Sequence, residues 1–284
     1  MSQVSPIDPD AIRSTLATRA LGHRIELFDR IDSTNREAVA LAQADIDHGT
    51  VIVADSQTAG RGRLARTWFS PPGVNLYCSI VVRLPIPSDR LSEWLSWLPL
   101  SASLAAAEAI ESVVGVHVTV KWPNDLLMAE RKIGGILCES GSTSRSEPFQ
   151  VVGLGINVNG RRADFPPDIC ETATTIAEEA GRAVDRNRLL AGILQELEVC
   201  LDEFVGNHEE KIAIAYSRRC VTLGRRVRAS LPGQRHIVGI AESVGRDGSL
   251  QIAEETRLSD TRVPRTVHVR AADILHLRSG ELVD

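Results

Sequence analysis

A short segment in the first third of the chain concentrates positive charge on a flexible backbone. Residues 58–70, TAGRGRLARTWFS, combine two glycines, three arginines and a tryptophan: Gly60, Gly62, Arg61, Arg63, Arg66 and Trp68. Glycine lets backbone N–H groups approach a ligand closely, and the planar guanidinium donates paired hydrogen bonds to phosphate or carboxylate. The segment therefore predicts an anion-binding loop, with a tryptophan placed to pack over an aromatic base or an apolar group. A solvated turn whose arginines pair with surface acids is the alternative.

A second cluster, VKWPNDLLMAERKIGGILCES, covers residues 120–140. Of 32 basic residues only three are lysines, and two of them, Lys121 and Lys132, lie in this cluster. A lysine is a compact point charge suited to holding a carboxylate near a phosphate. A glycine pair inside a strand, here ending at Gly135, marks a bulge or a close approach of a ligand. For Asn124 and Asp125 a plain β-turn is the alternative, and for Lys132 an exposed edge-strand position.

Two further stretches carry small polar groups next to an exposed backbone. VVGLGINVN, residues 151–159, alternates glycines, including Gly155, in a strand and places Asn157 at its end. DSTN, residues 32–35, is typical of a helix start, whose free N–H groups and partial positive charge can face an anion. Crowded strand packing and a simple helix cap are the alternatives.

Composition excludes several classes of protein. The 284 residues carry a net charge of −5 with a pI near 5.9, which argues against general nucleic-acid binding. Five scattered cysteines without a CxxC pair, and histidines without metal-ligand spacing, predict neither a disulfide framework nor a metal site. The N-terminus has no signal-peptide core and no apolar run reaches the roughly 20 residues of a membrane span, so we expect a soluble cytoplasmic protein.

The pattern of elements predicts an α+β protein. Helices are expected over 9–20, from residue 34, over 88–114 with a break near Pro99, and over 185–219. Strands are expected around 23–31, 49–57 and 74–84, and three segments from 116 to 159 predict a consecutive antiparallel set. Beyond Val221 the pattern is all strand and turn, which predicts a small β-barrel.

Taken in order, STN, GRGRLARTWFS, KWPND, KIGGIL and GLGIN resemble the biotin–protein ligase family. The resemblance runs from about residue 30 to 160 and more loosely to the C-terminus. It implies a mixed β-sheet with helices, similar to class II aminoacyl-tRNA synthetases, followed by an SH3-like β-barrel, with domains at 1–220 and 221–284. Fewer than 35 residues precede STN, so a winged helix-turn-helix does not fit there. We therefore expect a monofunctional ligase that does not bind DNA.

The resemblance also implies a reaction. Members of the family join the biotin carboxylate to the α-phosphate of ATP, giving biotinyl-5′-AMP and pyrophosphate, and then transfer biotin to a lysine of a biotin carboxyl carrier domain. Mg²⁺ is expected to travel with ATP, held by phosphates and water, without a dedicated protein cage. Such a site must supply preorganised cations and N–H dipoles and needs no nucleophile.

Residue roles implied by the matched motifs fall into three groups. Lys132 and Arg63 are implied to be catalytic. The biotin-binding group is Ser33, Thr34, Asn35, Gln57, Gly60, Arg61, Gly62, Arg63, Lys132, Gly135 and Gly155. The ATP and adenylate group is Arg63, Arg66, Trp68, Lys121, Asn124, Asp125, Lys132, Asn157 and Arg270, the last from VHVR. The family loop usually has glycine where this chain has Ala65, and we expect this to slow ordering of the loop.

Three other functions remain open at this level. A lipoate or octanoate ligase shares the fold and the adenylation chemistry. A regulator could bind a biotin-like ligand without turnover, although Arg63 and Lys132 argue against it. An RNA-binding module conflicts with the acidic composition. An exposed sheet edge could pair with a second copy, and the sequence does not decide between monomer and dimer.

Overall fold

The computed structural model describes residues 5–277 except 144, 146, 232, 234, 256–264 and 271. Seven strands form its first sheet: β1 (Ile25–Ile31), β2 (Val51–Gln57), β3 (Leu76–Val82), β4 (Thr119–Lys121), β5 (Asp125–Met128), β6 (Arg131–Ser142) and β7 (Pro148–Ile156). Their order is β1-β2-β3-β7-β6-β5-β4. The β1–β2 pair is parallel and the other pairs are antiparallel, so the predicted mixed sheet is confirmed, including its antiparallel second half.

Six helices accompany the strands in the described parts of the chain: α1 (Pro9–Thr15), α2 (Thr34–Gln43), α3 (Leu91–Val114), α4 (Ile176–Ala180), α5 (Arg186–Val205) and α6 (Glu209–Arg219). Helix α1 ends at Thr15, five residues before the predicted end, because the chain turns extended at Leu16. A 3₁₀ turn over Ser88–Arg90 precedes α3, which therefore begins three residues later than predicted.

The two faces of the large sheet carry different helices. Alternate residues such as Val51 and Val53 join the main core with α3 and α5, whereas Ile52 faces a smaller cluster with Ala38 and Ala42 of α2. This period of two is what a strand buried on both faces requires. Strand β3 is buried over all seven residues, which makes it the centre of the fold.

The predicted break near Pro99 is wrong, because α3 runs without interruption through this proline. Proline lacks the N–H of one helical bond, and its interior position normally kinks a helix. Burial outweighs that loss here: Trp94, Trp97 and Leu100 are inaccessible to solvent on either side of it. The buried hydroxyl of Ser103 also donates to the Pro99 carbonyl at 2.7 Å.

The C-terminal region forms a separate antiparallel sheet of β8 (Arg226–Leu231), β9 (Arg235–Val244), β10 (Leu250–Glu254), β11 (Arg265–Val269) and β12 (Asp273–His276). The order is β11-β10-β9-β8-β12, which leaves β11 and β12 at the edges of the described sheet. The all-strand character is confirmed, while closure into an SH3-like barrel stays a prediction. Among the described helices, none is long and apolar enough to cross a bilayer.

Candidate active site

A cavity of about 260 Å³ opens where the two sheets meet. Sixteen of the predicted site residues line it, from all five motifs: Ser33, Thr34, Asn35, Gln57, Arg61, Gly62, Arg63, Arg66, Trp68, Lys121, Asn124, Asp125, Lys132, Gly135, Gly155 and Asn157. The elements that carry them are far apart in sequence, so only the strand order of the sheet brings them together. Convergence of separate polar motifs on one cavity is typical of a ligand site.

The arginine loop between β2 and β3 is folded back on itself. The N–H of Trp68 donates to Gly60 O at 2.9 Å, and that of Gly62 donates to Arg66 O at 2.7 Å. A Cβ on Gly60 would lie 2.5 Å from Trp68 O, so only glycine fits there. Leu64 and Ala65 at the tip have φ of 54° and 58°, a left-handed conformation that costs a non-glycine residue about 1 kcal/mol.

Each loop arginine has a distinct partner. Arg61 contacts the Glu139 carboxylate, and Arg66 pairs with Asp273 at 2.5 Å. Arg63 donates to Asn124 Oδ1 at 3.1 Å and to the Ala272 carbonyl at 3.0 Å. Burial lowers the pKa of Arg63, whereas the hydrogen bond to Asp273 raises that of Arg66. Arg63 is therefore the loop cation held by neutral groups, free to exchange them for an anion.

Lys132 reaches the same cavity from the start of β6. Its ammonium lies 2.5 Å from Asp125 Oδ1 and 5.4 Å from the centre of the Trp68 ring. Asn124 fixes the preceding turn, since its side-chain N–H donates to Ile136 O at 2.5 Å while Ile136 N–H donates to Asn124 O at 3.0 Å. The turn and the lysine are thus positioned against each other by strand β6.

Glycines on β6 and β7 make room for the tryptophan. A Cβ on Gly155 would lie 2.5 Å from Trp68 Nε1, and one on Gly135 would lie 3.6 Å from the ring. The indole Nε1–H of Trp68 is buried and has no hydrogen-bond partner among the described residues. A buried donor without a partner costs free energy, so a ligand acceptor would stabilise it.

The end of the cavity formed by α2 is lined with small hydroxyl and amide groups. Gln57 Oε1 accepts from the Thr34 backbone N–H at 2.9 Å and from its hydroxyl at 3.2 Å, while Gln57 Nε2 donates to Ser70 Oγ at 3.0 Å. Ser33 is the N-cap residue of α2, yet its hydroxyl makes no capping bond. Ser33 therefore offers a buried hydroxyl to the cavity.

The family can now be decided from comparisons with known proteins. Residues 27–159 match the biotin/lipoate A/B protein ligase family. A biotin–[acetyl-CoA-carboxylase] ligase of Mycobacterium tuberculosis is 35% identical over 279 residues, covering 96% of this chain and 97% of that protein. The chain belongs to the biotin protein ligase family. The resemblance carried by the five motifs is thereby confirmed.

Other relatives in the ligase family agree. The bifunctional ligase/repressor BirA of Bacillus spizizenii is 35% identical over 192 residues, which cover 68% of this chain and 57% of that protein. A solved biotin protein ligase from Aquifex aeolicus, in complex with biotin and ATP, superposes with a TM-score of 0.73 and 28% identity. That alignment covers 90% of this chain and all of the Aquifex chain.

Several cavity residues of this ligase-family chain escaped prediction from sequence. Phe165, Ile169, Thr172 and Ala173 come from the irregular segment between β7 and α4, and Asp273 and Ile274 from the start of β12. Asn157 anchors this segment, since its side chain donates to Thr174 O at 3.2 Å.

Arg270 and Lys121 line two different cavities. Arg270 lines an adjoining cavity, which Arg63 also lines, and it pairs with Asp247 at 3.0 Å. Lys121 lines the central cavity, where burial lowers its pKa and the carboxylates of Asp125 and Asp273 oppose that shift. For Asp273, burial opposes ionisation, but the hydrogen bond from Arg66 together with the positive charges of Arg66, Lys121 and Arg63 lowers the net pKa.

The described side chains offer no group of three or more His, Cys, Asp or Glu placed to hold a metal. The two carboxylates in the cavity wall already face cations, Asp125 with Lys132 and Asp273 with Arg66.

Proposed function

We propose that this chain activates biotin with ATP and transfers it to a lysine of a biotin carboxyl carrier domain. Membership of the biotin protein ligase family supports the reaction class. The residue roles implied by the motifs are part of the proposal. Lys132 and Arg63 are its catalytic groups.

One observation carries the proposal. In a protein with a net charge of −5, the cavity wall holds five cationic side chains, Arg61, Arg63, Arg66, Lys121 and Lys132, against two carboxylates. A wall of this kind stabilises the negative charge that develops when a carboxylate attacks a phosphate. The first step brings two anions together and therefore needs this local excess of positive charge.

In the first step a carboxylate oxygen of biotin forms a bond to the α-phosphorus of ATP, and the bond to the pyrophosphate oxygen breaks. Lys132 and Arg63 hold the carboxylate and the α-phosphate, while Asp125 keeps the Lys132 ammonium in place. Because the protein forms no covalent bond, positioning of the two substrates supplies most of the remaining acceleration.

In the second step the neutral amine of the acceptor lysine attacks the carbonyl of the mixed anhydride. The carbonyl–phosphate bond breaks, AMP leaves with the bonding electrons, and the new amide nitrogen loses a proton to solvent. Asn124, Asp125 and Asn157 lie on the nucleotide and amine side of the cavity in this proposal.

The two substrates use opposite ends of the cavity. Ser33, Thr34 and Gln57 supply the small polar groups for the biotin ureido ring, with Arg61, Gly60 and Gly62 over it. Trp68 shelters the adenylate, and the apolar side chains of Phe165 and Ile169, which line the same cavity, suit the adenine base. Arg66, Lys121 and Arg270 face the phosphates, with Arg270 reached through the adjoining cavity.

Mg²⁺ would enter on the ATP phosphates, where it neutralises charge and helps pyrophosphate leave. Asp125 and Asp273 are the nearest carboxylates of the site, but each is paired with a cation. The protein's own residues therefore orient the phosphates and leave most of the ion's ligands to phosphate and water.

The proposal has a structural part as well. We assign a catalytic domain to 1–220 and a C-terminal domain to 221–284, in which the five-stranded sheet belongs to an SH3-like barrel. The core of the fold is similar to that of class II aminoacyl-tRNA synthetases. The chain acts in the cytoplasm without binding DNA, and an exposed sheet edge is available for pairing with a second copy.

The experiment that tests the function is intact-mass analysis of an apo carrier domain incubated with the protein and Mg·ATP. Parallel reactions contain biotin or lipoate. Lys132→Ala and Arg63→Ala are compared with Lys211→Ala, which changes the one lysine outside the site, an exposed side chain paired with Glu203.

A gain of one biotinyl group that persists in Lys211→Ala and is lost in Lys132→Ala supports the proposal. A lipoyl gain would keep the adenylation chemistry and change the substrate. If the carrier domain gained no mass with either acid although the protein bound biotin, the protein would be a biotin-binding regulator and not a ligase.

A further inference from the structure

Glu139 lies on β6 beyond the KIGGIL motif, and it connects two parts of the biotin end of the site. Its Oε1 accepts from Arg61 Nη2 at 2.9 Å, and its Oε2 accepts from Arg61 Nη1 at 3.1 Å. The same Oε2 also accepts from Asn35 Nδ2 at 2.9 Å. One carboxylate therefore joins the arginine loop to the first turn of α2.

Asn35 in turn is fixed to the buried sheet. Its Nδ2 also donates to Leu137 O at 3.0 Å, and its Oδ1 accepts from the buried hydroxyl of Ser79 at 2.6 Å. Gly153 packs directly beneath it, because a Cβ on this glycine would lie 1.8 Å from Asn35 Oδ1. All polar atoms of the Asn35 side chain are thus engaged by the protein, and Asn35 serves as a rigid support.

The exposure of these side chains changes stepwise from the sheet to the loop. Asn35 is 4% exposed, the Glu139 side chain 25% and the Arg61 side chain 42%. A paired, charge-assisted contact of this geometry is stronger than a single hydrogen bond between neutral groups. Arg61 lines the cavity, whereas Glu139 is not among its lining residues within the described chain.

We propose that Glu139 is a positioning residue that holds the arginine loop against β6 through Arg61. The proposal rests on the proposed function, because the loop is expected to cover biotin. Closing the loop confines biotin and its adenylate until the acceptor lysine arrives. Loss of the Glu139 carboxylate therefore opens the loop and shortens retention, without touching the reacting atoms.

The test compares Glu139→Gln with Glu203→Gln in the full-length chain. Glutamine keeps the size of the side chain and its acceptor for Asn35, but it presents an amide N–H₂ to Arg61. Glu203 is a matched control, since its side chain is 27% exposed and pairs with Lys211 on the helical face of the molecule. Three quantities are measured: tryptic cleavage after Arg61, Arg63 and Arg66 without ligand, the dissociation rate of biotin, and the melting temperature.

We expect Glu139→Gln to speed both loop cleavage and biotin dissociation about fivefold, with the control within about twofold of wild type. The melting temperature should be nearly the same in all three proteins, because the contact is partly exposed. Arg61→Ala should raise the dissociation rate similarly, and the double variant should be no faster than Arg61→Ala alone, since both changes break one contact.

Unchanged loop cleavage and unchanged biotin dissociation in Glu139→Gln would overturn the proposal. It would also be overturned if the double variant released biotin faster than Arg61→Ala by the full effect of Glu139→Gln. Wild-type protein that binds no biotin would instead overturn the proposed function. Loop cleavage needs no ligand, so it still decides the role of Glu139 in that case.

Discussion

The ammonium of Lys132 lies 2.5 Å from Asp125 Oδ1 and stands over the Trp68 ring at 5.4 Å from its centre. The lysine is thus held by one charge and one aromatic face at the point where the WPND turn meets β6. Asp125 begins β5 and the Trp68 ring packs on Gly155 of β7, so the position of the ammonium is set before any substrate binds. Preorganisation of this kind lowers the cost of binding the reacting groups.

Asp125→Asn should therefore slow formation of the adenylate by about ten- to hundredfold, because the ammonium loses the charge that positions it. The melting temperature should change little, since the Asp125 side chain is 26% exposed. Pyrophosphate release in a single turnover measures the effect. Asp164→Asn, which removes an exposed ion pair with Arg161, is the control. Equal rates in the two variants would show that Asp125 does not position Lys132.

Ala65→Gly should favour the closed arginine loop. Ala65 has a φ of 58°, and relieving this left-handed strain at about 1 kcal/mol outweighs the extra freedom of the open loop. We expect the adenylate to dissociate about twofold more slowly, which is what remains after the two effects are subtracted. Ala59→Gly adds backbone freedom to the same loop at a residue without positive φ, so it should speed dissociation. Unchanged retention of the adenylate in Ala65→Gly would remove Ala65 as a determinant of loop order.

Gly153→Ala should destabilise the fold by about 1–3 kcal/mol, because the added methyl group collides with the buried Asn35 amide. Its Cβ would lie 1.8 Å from Asn35 Oδ1. Gly192→Ala is the matched control in helix α5, where the added Cβ meets only Ala109 at 3.5 Å. Alanine there should stabilise the helix by about 0.5–1 kcal/mol. Urea unfolding of both variants measures whether Gly153→Ala lowers the stability and Gly192→Ala raises it. Equal stabilities of the two variants would contradict the close contact between Gly153 and Asn35.

His276 makes stability depend on pH. Burial lowers its pKa to about 4, with Lys121 and Arg225 acting in the same direction and Glu130 opposing. Its Nε2 lies 3.2 Å from Thr222 Oγ1, which also accepts the Trp122 N–H at 3.1 Å. The folded protein favours the neutral ring, so this contribution is complete above the unfolded pKa of about 6.5 and is lost as pH falls towards 4.

The measurement is the free energy of unfolding at about pH 7 and about pH 5 for wild type and His276→Gln. Between about pH 7 and about pH 5 the free energy of unfolding of wild type should fall by on the order of 1 kcal/mol more than that of His276→Gln. Burial also lowers the pKa of His48, and this contribution is shared by both proteins. Parallel losses in the two proteins would show that His276 titrates normally in the folded state.

Local chemistry in the sequence was enough to find the ligand-facing motifs. Glycines next to arginines, the WPND turn and the paired strand glycines each have a short-range reason to exist, and each of these motifs contributes residues to the wall of one cavity. The strand pattern was equally readable, because β3 and its neighbours alternate between two buried faces. The break predicted near Pro99 was wrong because burial of the surrounding helix outweighed the local effect of the proline.

What escaped the sequence depends on contacts between distant segments. Asp273 reaches Arg66 from more than two hundred residues away, and Glu139 reaches Arg61 across the sheet. Neither carboxylate differs from a surface acid in its local sequence. Phe165 and Ile169 lie in an irregular segment whose path is set by backbone bonds to Lys132, which include the Thr174 N–H donating to Lys132 O at 2.9 Å.

The most direct test of the account is isolation of the intermediate without an acceptor. Protein is mixed with biotin and Mg·ATP, passed rapidly through a desalting column and analysed for bound biotinyl-5′-AMP and released pyrophosphate. The account predicts about one adenylate per wild-type or Lys211→Ala molecule and at least about a hundredfold slower formation in Lys132→Ala. Adenylate formed by Lys132→Ala at the wild-type rate would contradict the assignment of Lys132 as the central catalytic residue.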